Sequence, residues 1–203
     1  MTGKNEEKDK NLAKETAGER QYTYGDYLSW VDDGRYELIE GKACMMYPAP
    51  SRRHQKIIIE FIRQLSQYLL EKDCEVYAAP FDVRLPEGDQ DDENVQTVVQ
   101  PDILLMCDED KLDEKGVRGA PDLVMEVISP ASGVRDRKVK RELYERHGVK
   151  EYWLVDYLEE VVEVYILNND GEYGKSEVYQ EEDVVPVSVL EDLKIDLNYV
   201  FEQ

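Results

Sequence analysis

The amino-acid sequence predicts a mixed α+β or α/β domain in which helices pack on a central β-sheet. PDLVMEVISP, residues 121–130, has the nearly continuous apolar character of a strand that is covered on both faces. Apolar residues recur at helical spacing from Arg52 to about Glu71, and a second helix is expected from about Val134 to His147. Runs of strand-like sequence flank these two helices, which is the arrangement that builds a layered mixed sheet.

The segments before the long helix predict a tail, a short helix and a hairpin. Residues 1–20 carry no aromatic residue and almost no large aliphatic one, so a disordered or frayed tail is expected there. We expect a single domain over 21–203. A capping pattern at Thr23 predicts a short helix, and Tyr36–Tyr47 reads as two strands that turn at Glu40-Gly41-Lys42.

Between and after the two helices, the pattern predicts strands. Strand-like runs cover Glu75–Leu85 and Val95–Met106, and Pro101 inside the second run indicates a bulge or an edge position. Glu151–Asp156 and Val161–Leu167 are the next expected strands, and Val178–Val189 supplies one or two more. The sheet is therefore expected to carry additional C-terminal strands, and the chain to end in a short apolar tail.

Composition limits the classes of function. The formal net charge of −21 argues against non-specific coating of nucleic acid, although a local basic groove remains compatible with it. The longest apolar runs are too short to span a bilayer, and the N-terminus lacks a secretory signal, so we expect a cytoplasmic protein without a membrane partner. The three cysteines, Cys44, Cys74 and Cys107, are far apart, which predicts buried free thiols and no structural zinc.

Two acidic residues lie where strands favour apolar ones. Glu126 stands in the middle of the 121–130 strand, and Asp102 precedes the apolar run of a neighbouring strand. An ionised carboxylate away from water costs several kcal/mol unless it is compensated. A shared divalent cation would neutralise both groups and favours such oxygen ligands. The alternative is a pair of structural acids satisfied by Arg or Lys.

The helix after this strand reverses the sign of the charge. Residues 133–141, GVRDRKVKR, hold five basic residues and one acid. Asp136, Lys140 and Tyr144 share one face at i, i+4 and i+8, so Lys140 can point back toward Glu126. Lys138 lies on a different side of the helix. Two carboxylates, a metal and a lysine make a site for phosphodiester hydrolysis, although most helical lysines are merely solvated.

An ordered series of motifs resembles the Uma-type restriction endonuclease family of the PD-(D/E)xK nuclease superfamily. The series is PD at 101–102, EVISP at 126–130, D-x-x-x-K-x-x-x-Y at 136–144 and GVKEYWLVD at 148–156. RYELIEGK at 35–42 and RHQKI at 53–57 are similar to the N-terminal half of the family, so the resemblance covers the chain from about Tyr22. It implies a restriction endonuclease-like fold and cleavage of DNA that depends on Mg²⁺ or Mn²⁺.

The resemblance also implies roles for individual residues. Asp102 and Glu126 become metal ligands and catalytic residues, and Glu40 and His54 match further polar positions near the site. The superfamily lysine normally follows the second acid by two residues, where this chain has Ile128, so the family pattern points to Lys140. The residues expected to bind phosphate are basic side chains on the two helices: Arg53, Arg135, Arg137, Lys138 and Arg141. Nucleases of this class often act as dimers, which makes a homodimer a further expectation.

A second class of function stays open at this point. The chain can be a nuclease-fold protein without cleavage activity that serves as a binding or assembly module. The −21 charge and the missing ExK lysine support that alternative, whereas the presence of Asp102, Glu126 and Lys140 supports the enzyme.

Overall fold

The structure is a computed structural model, and it describes residues 20–31, 34–46, 50–129 and 132–202. The contacts divide the chain into two compact units: unit 1 is Met1–Met46 with Arg84–Val99, and unit 2 is Tyr47–Val83 with Gln100–Gln203. The predicted tail lies outside the described residues except for Arg20. The single domain predicted over 21–203 stays a prediction. Within the described ranges, no helix is long and apolar enough to cross a membrane.

The chain alternates short strands with four α-helices in its described part. The helices are α1 (Tyr24–Leu28), α2 (Arg52–Leu69), α3 (Arg141–His147), which continues directly from a π-helical segment (Arg135–Lys140), and α4 (Leu197–Phe201). The strands are β1 (Tyr36–Ile39), β2 (Lys42–Met45), β3 (Glu75–Ala78), β4 (Val83–Arg84), β5 (Val98–Val99), β6 (Ile103–Met106), β7 (Leu112–Asp113), β8 (Gly116–Arg118), β9 (Leu123–Ile128), β10 (Glu151–Asp156), β11 (Val161–Ile166), β12 (Glu177–Gln180), β13 (Val184–Pro186) and β14 (Lys194–Asp196).

Unit 1 contains the predicted short helix and hairpin. Thr23 and Asp26 form a reciprocal capping box at the start of α1, as the sequence indicates. β1 pairs antiparallel with β2 on one side and with β5 on the other. A small apolar cluster built from α1, β1, β5 and the residue Val95 fills this unit.

Unit 2 is built around a six-stranded mixed sheet. Its strand order is β12-β11-β10-β9-β6-β3, and only β9 and β10 run parallel within that sheet. β9 is therefore an interior strand, and all six of its residues are buried. This mixed central sheet with flanking helices is the fold class that the sequence predicts, and the prediction is confirmed.

The two faces of β9 meet different surroundings. Leu123, Met125 and Val127 join the main apolar cluster together with α2 residues such as Phe61. The alternate residues include Glu126, whose carboxylate is met by the side chains of Lys140 and Tyr144, from the helix that follows the strand. The period-2 alternation of a strand thus separates an apolar face from a face that holds one charge.

Several element boundaries differ from the predicted ones for local reasons. The run Val95–Met106 is interrupted between β5 and β6, where Pro101 has no N–H to give to a ladder. Glu75–Leu85 is divided into β3 and β4, with Ala79-Pro80 between them. The predicted C-terminal tail is wrong, because Asp196 caps α4 and the helix buries Leu197, Val200 and Phe201.

The prediction of free thiols at Cys74 and Cys107 is wrong, because these two residues form a disulfide. Cys74 directly precedes β3 and Cys107 directly follows β6. The antiparallel register pairs Glu75 with Met106, and the cysteines one position beyond have Cα atoms 4.1 Å apart. Cys44 is half-buried and takes no part in this disulfide.

Candidate functional site

The centre of the candidate site is the buried carboxylate of Glu126. Only 5% of Glu126 is exposed, although it lies in an interior strand of the unit 2 sheet. A carboxylate in such a position requires charged or hydrogen-bonding partners. Its surroundings therefore decide whether the group is structural or chemical.

Two side chains from the following helix donate to one oxygen of Glu126. Lys140 Nζ lies 2.8 Å from Glu126 Oε1, and the Tyr144 hydroxyl lies 3.0 Å from the same oxygen. Lys140 is itself buried, with 4% of its surface exposed, and Tyr144 is fully buried. The structure thus brings Lys140 to Glu126, and an ammonium–carboxylate contact of this length is a charge-assisted hydrogen bond.

A π-helical segment shapes the approach of Lys140. The backbone N–H of Arg141 donates to the carbonyl oxygens of Asp136 and Lys138, and the first of these bonds spans five residues. Asp136 and Lys140 are the two buried residues of the segment, and Lys140 Nζ lies 4.0 Å from Asp136 Oδ1. Two carboxylates therefore lie beside a single buried ammonium.

Tyr152 supports this segment from β10. Its hydroxyl donates to the Asp136 carbonyl oxygen at 3.2 Å. Burial, and after it the negative charge of Glu126, raises the pKa of Tyr152 well above its usual value. Tyr152 is consequently a neutral hydrogen-bond donor, which suits a residue that positions backbone.

Asp102 directly precedes β6, the strand that pairs with β9. The β6–β9 register pairs Ile103 with Met125, and continuing it by one residue brings Asp102 opposite Glu126. Asp102 Oδ2 accepts a hydrogen bond from the Val127 backbone N–H at 2.9 Å. This oxygen is held by the protein, while 22% of the Asp102 side chain stays exposed.

His54, on the first turn of α2, is the second partner of the same Asp102 oxygen. Its Nε2 lies 3.3 Å from Asp102 Oδ2, and 10% of the His54 side chain is exposed. The N-terminus of α2 is fixed by Ser51, whose hydroxyl accepts from the His54 backbone N–H. His54 Nδ1 is buried without a hydrogen-bond partner in the structure. Because Nε2 faces a carboxylate, Nε2 is the nitrogen that carries the proton in the neutral ring.

The residues predicted to bind phosphate differ in their surroundings. Arg53 pairs with Glu160 and lies over the ring of Tyr157, and the guanidinium of Arg137 pairs with Glu163 and, at 3.0 Å, with Asp156. These ion pairs join helical segments to the loop or strands beside them. Arg141 lies over the Tyr165 ring, Arg135 is half-buried, and Lys138 is exposed.

Glu40 is the remaining residue for which the sequence predicted a role at the site. Glu40 belongs to unit 1, where it is exposed at the β1–β2 turn with φ +51°, and its backbone N–H donates to Thr97 Oγ1. Its functional role stays a prediction. The face formed by Asp136, Lys140 and Tyr144 was visible at helical spacing, but the sharing of Glu126 by Lys140 and Tyr144 was not.

The donors around Glu126 suit one class of metal ion. Among the described residues, no three His, Cys, Asp or Glu side chains converge to form a complete metal cage. Mg²⁺ characteristically uses one or two carboxylates together with waters and substrate phosphates. Asp102 and Glu126 are the candidate pair, and Glu126 also shares the Lys140 ammonium with Asp136. The residues present therefore fit Mg²⁺ or Mn²⁺ as the group that the resemblance implies.

Comparison with known proteins gives the same assignment of fold. Residues 24–198 match the model of the Uma2 family, described as "Putative restriction endonuclease". The protein slr1290 of Synechocystis sp., described as uncharacterized, is 26% identical over 151 residues, which cover 73% of this chain and 75% of that protein. A crystal structure from Anabaena variabilis, described as "a putative nuclease belonging to DUF820", superposes with a TM-score of 0.70 at 22% identity, covering 89% of this chain and 97% of the other.

Proposed function

The chain belongs to the Uma2 restriction endonuclease family, and on that premise we propose that it is a metal-dependent endonuclease that hydrolyses DNA phosphodiester bonds. The observation that carries the proposal is the buried Glu126 carboxylate, with Lys140 Nζ 2.8 Å from it and Asp102 directly before β6, the strand that pairs with β9. A buried acid in an interior strand, with a lysine bonded to it and a second acid directly before the neighbouring strand, is poorly explained by stability alone. It matches the needs of phosphodiester hydrolysis.

Asp102 and Glu126 are the groups that would hold the cation. Asp102 is oriented through Oδ2, which accepts from the Val127 N–H and faces His54, so its other oxygen is available as a ligand. Glu126 is oriented through Oε1 by Lys140 and Tyr144. When bound there, Mg²⁺ or Mn²⁺ supplies Lewis-acid polarisation of the phosphate and lowers the pKa of a water.

Lys140 is the electrostatic group of the proposed site. Its ammonium is buried beside Glu126, where the low local dielectric strengthens its interaction with negative charge. From this position it orients the attacking water or stabilises the charge that develops on the phosphate. Ile128, which occupies the usual lysine position of the superfamily, has an apolar side chain that can do neither of these.

The DNA backbone requires a local basic surface in a chain of net charge −21. Lys138 is the exposed basic residue of the π-helical segment that also carries Lys140, which favours it as a phosphate contact. Arg53 and Arg137 already hold carboxylate partners, so their first role in the proposal is to fix the helices.

A nicking assay tests the proposal. Supercoiled plasmid and single-stranded DNA are incubated with purified protein in Mg²⁺, in Mn²⁺ or in EDTA, and Asp102→Asn and Glu126→Gln are compared with wild type. The matched control is Asp122→Asn, which removes another buried carboxylate next to β9; Asp122 bonds to Lys150 and to the Cys107 N–H.

The proposal predicts metal-dependent nicking by wild type and Asp122→Asn, and loss of at least a hundredfold in the two site variants. Equal nicking by all four proteins would show a contaminating nuclease and overturn the assignment. Metal-independent binding of DNA without cleavage by wild type would instead support the binding-module alternative.

A further inference from the structure

Two buried carboxylates lie at different distances from the ammonium nitrogen of Lys140. Its Nζ is 2.8 Å from Glu126 Oε1 and 4.0 Å from Asp136 Oδ1. The side chains of Glu126, Asp136 and Lys140 are each exposed by only 5–6%. One ammonium thus has a bonded acid and a second acid within reach.

The proposed function places two demands on Glu126. In the structure, its Oε1 is held by both Lys140 and Tyr144. As a cation ligand it would meet positive charge from a second source, and the neighbouring ammonium would repel that charge. A buried ammonium that weakens its bond to Glu126 needs another acceptor, because an unpaired buried charge is strongly unfavourable.

Asp136 is built to be that acceptor. A normal N–H···O distance is about 2.9 Å, so Lys140 needs to move by only about 1 Å to bond Asp136. The backbone of Asp136 is itself fixed, since its carbonyl oxygen accepts from the Arg141 N–H and from the Tyr152 hydroxyl. The backbone of Asp136 is therefore held in place, and the exchange needs a movement of the flexible Lys140 side chain.

We propose that Asp136 is a positioning residue that takes over Lys140 when Glu126 binds the divalent cation. The inference rests on the proposed function. In it, Asp136 pairs with the Lys140 ammonium and does not itself bind the cation. Tyr144 keeps its bond to Glu126 during this exchange and preserves the orientation of the carboxylate. Lys140 stays at the site, with its charge paired in both states.

A double-mutant cycle on Mn²⁺ affinity tests the inference. Calorimetric titration compares wild type, Asp136→Asn, Lys140→Gln and the double variant, with thermal melting to show that each is folded. Asp136→Asn is expected to weaken Mn²⁺ binding about tenfold in the wild-type background, as outer partners of metal ligands commonly do. In the Lys140→Gln background the same change is expected to have no effect, because there is no ammonium to receive.

The alternative is that Asp136 merely attracts the cation by its charge. In that case Asp136→Asn weakens binding equally in both backgrounds, and the inference is overturned. Glu142→Gln, which removes an exposed acid two residues after Lys140, is the matched control for general charge and is expected to change affinity less than twofold. Asp136→Glu keeps an acceptor and is expected to restore most of the affinity.

A crystal structure with Mn²⁺ gives a readout that does not depend on these variants. The inference predicts an anomalous peak at Asp102 and Glu126, with Lys140 Nζ within hydrogen-bond distance of Asp136. Lys140 still 4.0 Å from Asp136 in the Mn²⁺-bound protein would overturn it. Failure of wild type to bind Mn²⁺ at all would overturn the metal-dependent function together with the inference, which separates that result from a failure of Asp136 alone.

Discussion

Replacing Lys140 with methionine measures how much the buried Lys140–Glu126 ion pair contributes to the free energy of unfolding. Both side chains are exposed by only 5–6%, and the contact is 2.8 Å. Methionine keeps most of the length of the side chain but leaves Glu126 with Tyr144 as its donor from this helix and leaves Asp136 without the nearby ammonium. Removing one partner of a buried pair costs about 3–5 kcal/mol, and we expect Lys140→Met to destabilise unit 2 by that amount.

Urea unfolding followed by tryptophan fluorescence measures this cost. The chain has two tryptophans, and Trp153 is fully buried in β10, directly beside β9. A Trp30→Phe background makes Trp153 the sole reporter, and Trp30 belongs to unit 1. Lys138→Met is the matched control, because Lys138 is exposed on the same segment and its replacement is expected to cost less than about 0.5 kcal/mol.

The reasoning is refuted if Lys140→Met costs no more than its control. Exposed ion pairs contribute about 0–1 kcal/mol, so a loss in that range would mean that water reaches the pair in solution. A change in the slope of the unfolding curve would indicate an altered denatured state and would require a second probe.

Three further predictions concern other parts of unit 2. His54→Gln keeps a donor near the Nε2 position, so its affinity for Mn²⁺ is expected to stay within about threefold of wild type. His54→Leu removes a partner of Asp102, so its affinity is expected to fall about tenfold. Calorimetry measures both, and equal affinities for the two variants would contradict the prediction. Burial raises the pKa of Glu151, so the folded state binds this proton more tightly than the unfolded state does. The stability of wild type relative to Glu151→Gln should therefore fall as pH rises from about 4.5 through the folded pKa. Urea unfolding at several pH values measures this difference, and a stability that rises with pH would refute the prediction. The Cys74–Cys107 disulfide joins residues 33 positions apart, so its removal is expected to lower the free energy of unfolding by about 4 kcal/mol. Thiol titration of the unfolded, unreduced chain should find one thiol, whereas three free cysteines would give three.

The sequence predicted the elements whose signals are local. The helical spacing from Arg52 gives α2, Gly148 ends α3 in the left-handed conformation, with φ +83°, and the turn at Glu40-Gly41 joins β1 to β2. Each of these features depends on residues within one or two turns of each other. The position of Lys140 near Glu126 also followed from a strand, a short connection and a helical face.

Features that depend on register between distant segments could not be predicted. The Cys74–Cys107 disulfide requires the β3–β6 pairing, and the contact of His54 with Asp102 requires the start of α2 to meet the start of β6.

The π-helical geometry of Arg135–Lys140 also had no signal in the sequence. Helical periodicity alone places Asp136, Lys140 and Tyr144 on one face, and the observed segment keeps that face. The Tyr152 hydroxyl that bonds to the Asp136 carbonyl comes from β10, a contact that helical periodicity does not indicate. Tertiary packing thus decided the detail of the segment that carries Lys140.

The central proposal is that Asp102 acts with the buried Glu126 and Lys140 to cleave DNA. Its most direct test is the initial rate of supercoiled plasmid nicking in Mg²⁺ by Lys140→Met beside Lys138→Met, at protein concentrations and temperature where both are folded. We expect Lys140→Met to lose at least a hundredfold in rate and Lys138→Met to lose less than tenfold. The loss in Lys138→Met should shrink as salt is raised, because that variant makes one phosphate contact fewer than wild type. Equal rates for the two variants would contradict the claim.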